Sequence, residues 1–128
     1  MKNDIYSYLK FRLGEEYCNF EFEVIPLPPF EILDNSLILE PYEYFGDISE
    51  IFEMRVKHII LYFNADILIK VELKIKGNKI VHLKTELDNL KNITLPSIMF
   101  LKIWYNQEED FTVVVYQNRV LNKSEGIL

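Results

Sequence analysis

Basic residues are missing from a third of this chain. Between Leu13 and Met54 there is no Lys and no Arg, against eleven Asp and Glu. The whole chain has 14 basic residues in 128. At that frequency about five would fall in such a stretch. Phosphate contact needs Lys and Arg, so an acid-only segment argues against nucleic acid as a partner. It argues equally against an anionic membrane.

Other scarcities narrow the reading further. Cys18 is the one cysteine, which excludes an intramolecular disulfide. No apolar run approaches the length of a membrane-spanning helix. The N-terminal residues MKNDIYSYLKFRLGEEY contain no uninterrupted apolar core and no small-residue cleavage site. A reducing, cytoplasmic setting is the expectation. Motifs for nucleophiles, phosphate loops, dinucleotides and zinc (GxSxG, the P-loop, GxGxxG, HExxH, CxxC) are absent. No catalytic residue, metal ligand or cofactor site is therefore assigned, and the chain reads as a non-enzyme.

What is present is an ordinary globular balance: 49% hydrophobic, 27% charged and 14% aromatic residues. A length of 128 residues suggests a single domain, 1–128, able to bury a core. The charge is lopsided. Residues 1–64 hold five basic and twelve acidic side chains, net −7; residues 65–128 hold nine and eight, net +1. Abundant Ile, Lys and Asn match AT-rich bacterial or phage genes.

Periodicity gives the expected elements. Ile5, Leu9 and Leu13 at i, i+4, i+8 predict a helix over 3–13, capped by Asn3 or Asp4 and ended by Gly14. Cys18, Phe20, Phe22 and Val24 alternate with Asn19, Glu21 and Glu23, which predicts a strand with one apolar and one acidic side. Pro26, Pro28 and Pro29 interrupt any ladder. A short strand is expected over 36–40, ended by Pro41, and a loop over 42–47. A helical turn at 47–51 and a strand over 52–63 follow. Ile67 to Ile75 alternate with charged residues and make the clearest strand. Gly77 and Asn78 signal a turn into a further strand reaching Leu87. In the last hairpin, a five-residue loop at 106–110 would oppose Tyr105 to Phe111 and Ile103 to Val113. The summed expectation is an α+β fold: an N-terminal helix packed on a curved, mainly antiparallel meander of five or more strands. By element order alone this is broadly like cystatin-like folds.

Candidate chemistry is thin. His58, His82 and Cys18 have no ligand spacing, and Cys18 falls among apolar neighbours as a small core residue. Glu21 with Glu23, Glu15-Glu16 and Glu108-Glu109-Asp110 show no arrangement suited to acid–base catalysis. Lys70, Lys74, Lys76 and Lys84 read as solvent-facing strand lysines interrupted by Glu72 and Glu86. The acidic stretch remains. Solvation alone explains such a face; an interface explains it together with its aromatics. The partner-binding candidates are Glu21, Glu23, Glu31, Asp34, Glu40, Tyr42, Glu43, Tyr44, Asp47 and Glu50, densest in the segment Glu40–Asp47. Such a surface fits a basic protein partner, in its most concrete form a nuclease toxin neutralised by an immunity protein or antitoxin. A phage-encoded inhibitor of a host protein, a secretion chaperone, or a small-ligand or enzymatic domain with a pocket near Trp104, His58 and His82 are the alternatives. Nothing in the sequence sets an oligomeric state.

Overall fold

The computed structural model describes residues 4–32, 37–90 and 99–118, and structural statements below concern those residues. The strands are β1 (Val24–Pro26), β2 (Glu31–Ile32), β3 (Ile38–Tyr44), β4 (Glu50–Ile51), β5 (Met54–Arg55), β6 (His58–Asn64), β7 (Ile67–Lys76), β8 (Met99–Asn106) and β9 (Phe111–Asn118). Helix α1 spans Tyr6–Leu9 and α2 spans Ile80–Asp88. The main sheet is antiparallel, in the order β1-β3-β6-β7-β9-β8, with β2 also paired to β3. The fold is α+β.

The sheet has two unequal faces because side chains alternate along each strand. Ile59, Leu61 and Phe63 of β6 share the inner face with Val71, Leu73 and Ile75 of β7 and with Val114 and Tyr116 of β9, and all are buried. The outer face carries His58, Ile60 and Tyr62, then Lys70, Glu72 and Lys74, then Trp104. A register shift between Tyr62 and Phe63 opposes Phe63 to Leu68, so Leu68 takes the inner position in place of Ile69. Ala65 and Asp66, with φ of 49° and 70°, close the β6–β7 hairpin in the left-handed conformation that matches strand twist.

Chain 5–20 covers the inner face, although not as the expected long helix. α1 is a single turn, ended at Lys10 with φ 79°. Ile5, Leu9, Phe11, Leu13 and Phe20 are nonetheless buried. The apolar spacing thus marked inward residues correctly. Helical hydrogen bonding was not needed, because the Tyr116 hydroxyl donates to the Phe11 carbonyl at 2.6 Å and Gly14 N–H donates to Leu68 O at 2.8 Å. The cystatin-like analogy rested on a leading helix, and that helix is four residues long.

Four further expectations are corrected. Residues 18–23 form no strand: Tyr17–Asn19 is a 3₁₀ turn, Cys18 is exposed, and Phe22 is 86% exposed. The turn expected at 47–51 is instead the β4–β5 hairpin, whose corner puts Phe52 and Glu53 at φ 47° and 63°. The buried Phe52 ring stacks on Tyr8 at 5.5 Å, which offsets the left-handed backbone. The segment after Gly77 is helix α2, not a strand. Ile80, Leu83, Leu87 and Leu90 lie inward at helical spacing, and Val81 is 78% exposed. In the last hairpin the register is one residue from the expected one: Asn106 opposes Phe111 and Ile103 opposes Val114. This brings Thr112 inward, where its hydroxyl donates to Gly77 O at 2.6 Å and accepts from Lys79 N–H at 2.7 Å. Without those bonds, burying Thr112 would cost free energy.

Candidate functional site

The acidic residues gather where the chain crosses the β1–β3 edge of the sheet. β1 lies antiparallel on β3 with Val24 opposite Tyr44, Ile25 opposite Glu43 and Pro26 opposite Tyr42. Beyond this ladder, Phe45 N–H donates to Glu23 O at 2.8 Å, which draws the Glu21-Phe22-Glu23 turn against the Phe45-Gly46-Asp47 loop. A Cβ on Gly46 would run into the Tyr44 ring and the Glu23 carboxyl, so this loop depends on glycine. The resulting corner shows two phenyl rings, Phe22 at 86% and Phe45 at 58% exposure, among the acids Glu21, Glu23 and Asp47.

Tyrosine electrostatics locate the acids further. Burial holds the Tyr44 hydroxyl protonated above the ordinary range, and the negative fields of Glu23 and Asp47 add to this; the Ile48 N–H that donates to it acts oppositely. Glu23 and Asp47 therefore flank one point. Burial likewise raises Tyr42, reinforced by Tyr17, Glu40 and Asp66. Glu40 and Asp66 thus form a second acidic group at the other end of β3.

The candidates named from sequence do not all come together. Glu21, Glu23 and Asp47 share the corner. Glu40 lies on the inner side of β3, whereas Glu43 lies on the outer side with its carboxylate 3.1 Å from His58 Nδ1. Glu50 stands exposed on β4. Glu31 belongs to β2, which pairs with β3 through Leu39 and Ile38, and Asp34 lies outside the described residues. Tyr44 and Tyr42 belong to strand β3 rather than to a loop. Tyr44 is buried with its ring edge-on to Phe11 at 5.0 Å, and Tyr42 packs on Tyr17 and Phe63. Tyr44 lies beneath the corner, and Tyr42 lies beside the second acidic group. Residues not singled out earlier, Phe22 and Ile25, are the exposed ones. Their signal was position: each sits beside Glu21 or Glu23 or opposite Glu43.

Two features make the corner uncompensated. Among the described residues Glu21, Glu23, Glu40, Asp47 and Glu50 form no ion pair. Among the described residues, large exposed hydrophobic side chains also concentrate in the acid-only stretch: Phe22 and Phe45 at the corner, Ile25 opposite Glu43, and Phe30, Ile32 and Ile38 near the β2–β3 pairing, against Val81 and Trp104 elsewhere.

The histidines have ordinary partners. His58 meets Glu43 and the edge of Phe111, and His82 lies 3.7 Å from Glu86 one helical turn away. Cys18 Sγ lies 3.8 Å from Glu16 and 4.0 Å from Asn19. Among the described residues no group of His, Cys, Asp and Glu is arranged to hold a metal ion, and no helix is long and apolar enough to cross a membrane. No protein-family model matches the chain, and neither a curated protein nor a solved structure matches it.

Proposed function

We propose that this is a binding protein whose acidic, phenyl-bearing corner docks onto a basic protein. In its most specific form it is an immunity protein or antitoxin that neutralises a nuclease-type bacterial toxin. The observation that carries the reading is coincidence: among the described residues six of the eight large exposed hydrophobics lie inside the acid-only stretch, Phe22 and Phe45 of them at the corner itself. A face kept acidic only for solubility has no use for them. An interface uses both, with rigid rings as anchors and carboxylates steering Lys and Arg toward them. Burying Phe22 and Phe45 against a partner would contribute about 1.5–3 kcal/mol each. Nuclease active sites are cationic because they hold phosphate, which makes an acidic plug a direct means of blocking them.

Affinity capture from the lysate of the source cell, at low and at high salt, tests this. The expected result is a basic protein retained at low salt and released as salt screens the acids. Retention that ignores salt, or no basic protein retained at low salt, overturns the reading.

A further inference from the structure

The acid-only stretch ends abruptly, and its end borders the opposite kind of site. Arg55 is the first basic residue after Met54, and it lines a cavity of about 280 Å³ together with Lys57, Lys76 and Lys79. Met54 and Ile75 form the apolar part of the lining. Among the described residues no acidic side chain lines it. Four of the chain's 14 basic side chains thus meet at one cavity of a protein whose net charge is −6.

The backbone holding these cations is fixed by hydrogen bonds from three segments. Lys57 N–H donates to Lys74 O at 2.7 Å, tying the chain before β6 to β7. Gly77 N–H donates to Asp110 O at 2.8 Å, anchoring the end of β7 beside Lys76. Lys79 N–H donates to Thr112 Oγ1 at 2.7 Å. Lys79 is also the residue preceding α2, so the positive end of that nine-residue helix adds to the local field. Of the four cations, Lys76 alone has a carboxylate partner, Asp110 at 3.5 Å. Arg55, Lys57 and Lys79 have no ion pair among the described residues. Cations that line one cavity offer several positive charges to a single multiply charged anion.

We infer that this cavity binds a small phosphate-bearing anion with several negative charges, such as a di- or triphosphate. Arg55 supplies a planar fork suited to two oxygens of one phosphate, and the lysines supply point charges to its neighbours.

The test is an NMR titration of the ¹⁵N-labelled full chain with inorganic triphosphate, at constant ionic strength, with sulfate as the matched control. Saturable shifts at Arg55, Lys57, Lys76 and Lys79 are expected, with sulfate at least about tenfold weaker. The double variant Arg55→Ala/Lys79→Ala should weaken triphosphate about tenfold or more. If that variant fails to fold, Lys57→Ala alone is scored for the same direction of change. A parallel titration with a nucleoside triphosphate separates the sources. Tighter binding than inorganic triphosphate assigns an organic phosphate whose attached group adds contacts at the cavity, and equal binding assigns the phosphate chain alone. Shifts scattered over surface lysines, equal response to sulfate, or affinity unchanged in the variants would each overturn the inference.

Discussion

The acid-only stretch and the chain that follows it are folded by different means. In β6 to β9, order comes mainly from long paired strands: β6, β7 and β9 run side by side, with inner residues buried and outer ones more exposed. From Leu13 to Met54 the paired pieces are short apart from β3, and the chain is held by rings. Tyr17, Phe20, Tyr42 and Phe63 meet at centroid distances between 5.2 and 6.0 Å, and Phe11 bridges Phe20 and Tyr44. The lesson is that one half of the molecule commits its hydrophobic side chains to stability. The other half leaves several of its own exposed, beside unpaired acids.

The largest effects should therefore come from the paired half. Leu73→Ala removes a fully buried side chain from the central strand and should cost about 3 kcal/mol in denaturant unfolding. Phe22→Ala and Phe45→Ala should change stability by less than about 0.5 kcal/mol while weakening capture of the basic partner. Equal destabilisation at Leu73 and Phe22 would break the comparison.

A middle-sized effect belongs to the seam between the halves. Tyr116→Phe should cost about 1–3 kcal/mol, because the Phe11 carbonyl loses its buried donor. This site also sets an alkaline limit. Burial raises the Tyr116 hydroxyl well above the ordinary tyrosine value of 10.0. Its contribution is complete below the unfolded-chain value and is lost as pH rises above it, because the unfolded chain then ionises while the folded one does not. Stability should fall above about pH 10, and Tyr116→Phe should flatten that fall. An identical alkaline slope in the variant would show that other tyrosines dominate.

The smallest effect is expected at the β8–β9 turn. The Tyr105 hydroxyl donates to Asp110 at 2.6 Å, which lowers the Asp110 carboxyl below its usual range, and Lys76 adds to this. Asp110→Asn should shift the midpoint of thermal unfolding slightly and leave partner capture unchanged. A lowered carboxyl gives stability that is present above its unfolded value and lost as pH falls through the folded one. The wild type should lose this small advantage over the variant in acid.

These contrasts explain how far the sequence could be read. β7 was legible because strict alternation from Ile69 to Lys76 favours a strand, and its burial followed except at the bulge beside Phe63. α2 was not, because Val81, Leu83, Thr85 and Leu87 satisfy period two as well as Ile80, Leu83, Leu87 and Leu90 satisfy helical spacing. Residues 18–24 alternate just as cleanly, yet β1 begins only at Val24. Pairing partners decide whether an alternating segment becomes a strand, and composition does not reveal them. For the site, the acid-only stretch was visible in the sequence. Which of its aromatics stand exposed was not, because an aromatic residue's burial depends on its register: Tyr44 faces the core, and Phe45, one residue on, does not.

The central claim is that the corner of Glu21, Phe22, Glu23, Phe45 and Asp47 receives a basic protein. Its most direct measurement compares two charge reversals of equal size, Glu21→Lys/Glu23→Lys at the corner and Asp88→Lys/Glu108→Lys away from it. The readout is the dissociation constant for the captured partner at low salt. The corner pair should weaken binding at least tenfold more than the remote pair, on the order of what lost rim charges and poorer steering produce together. Equal weakening by both pairs would show that net charge alone attracts the partner, and would contradict the account.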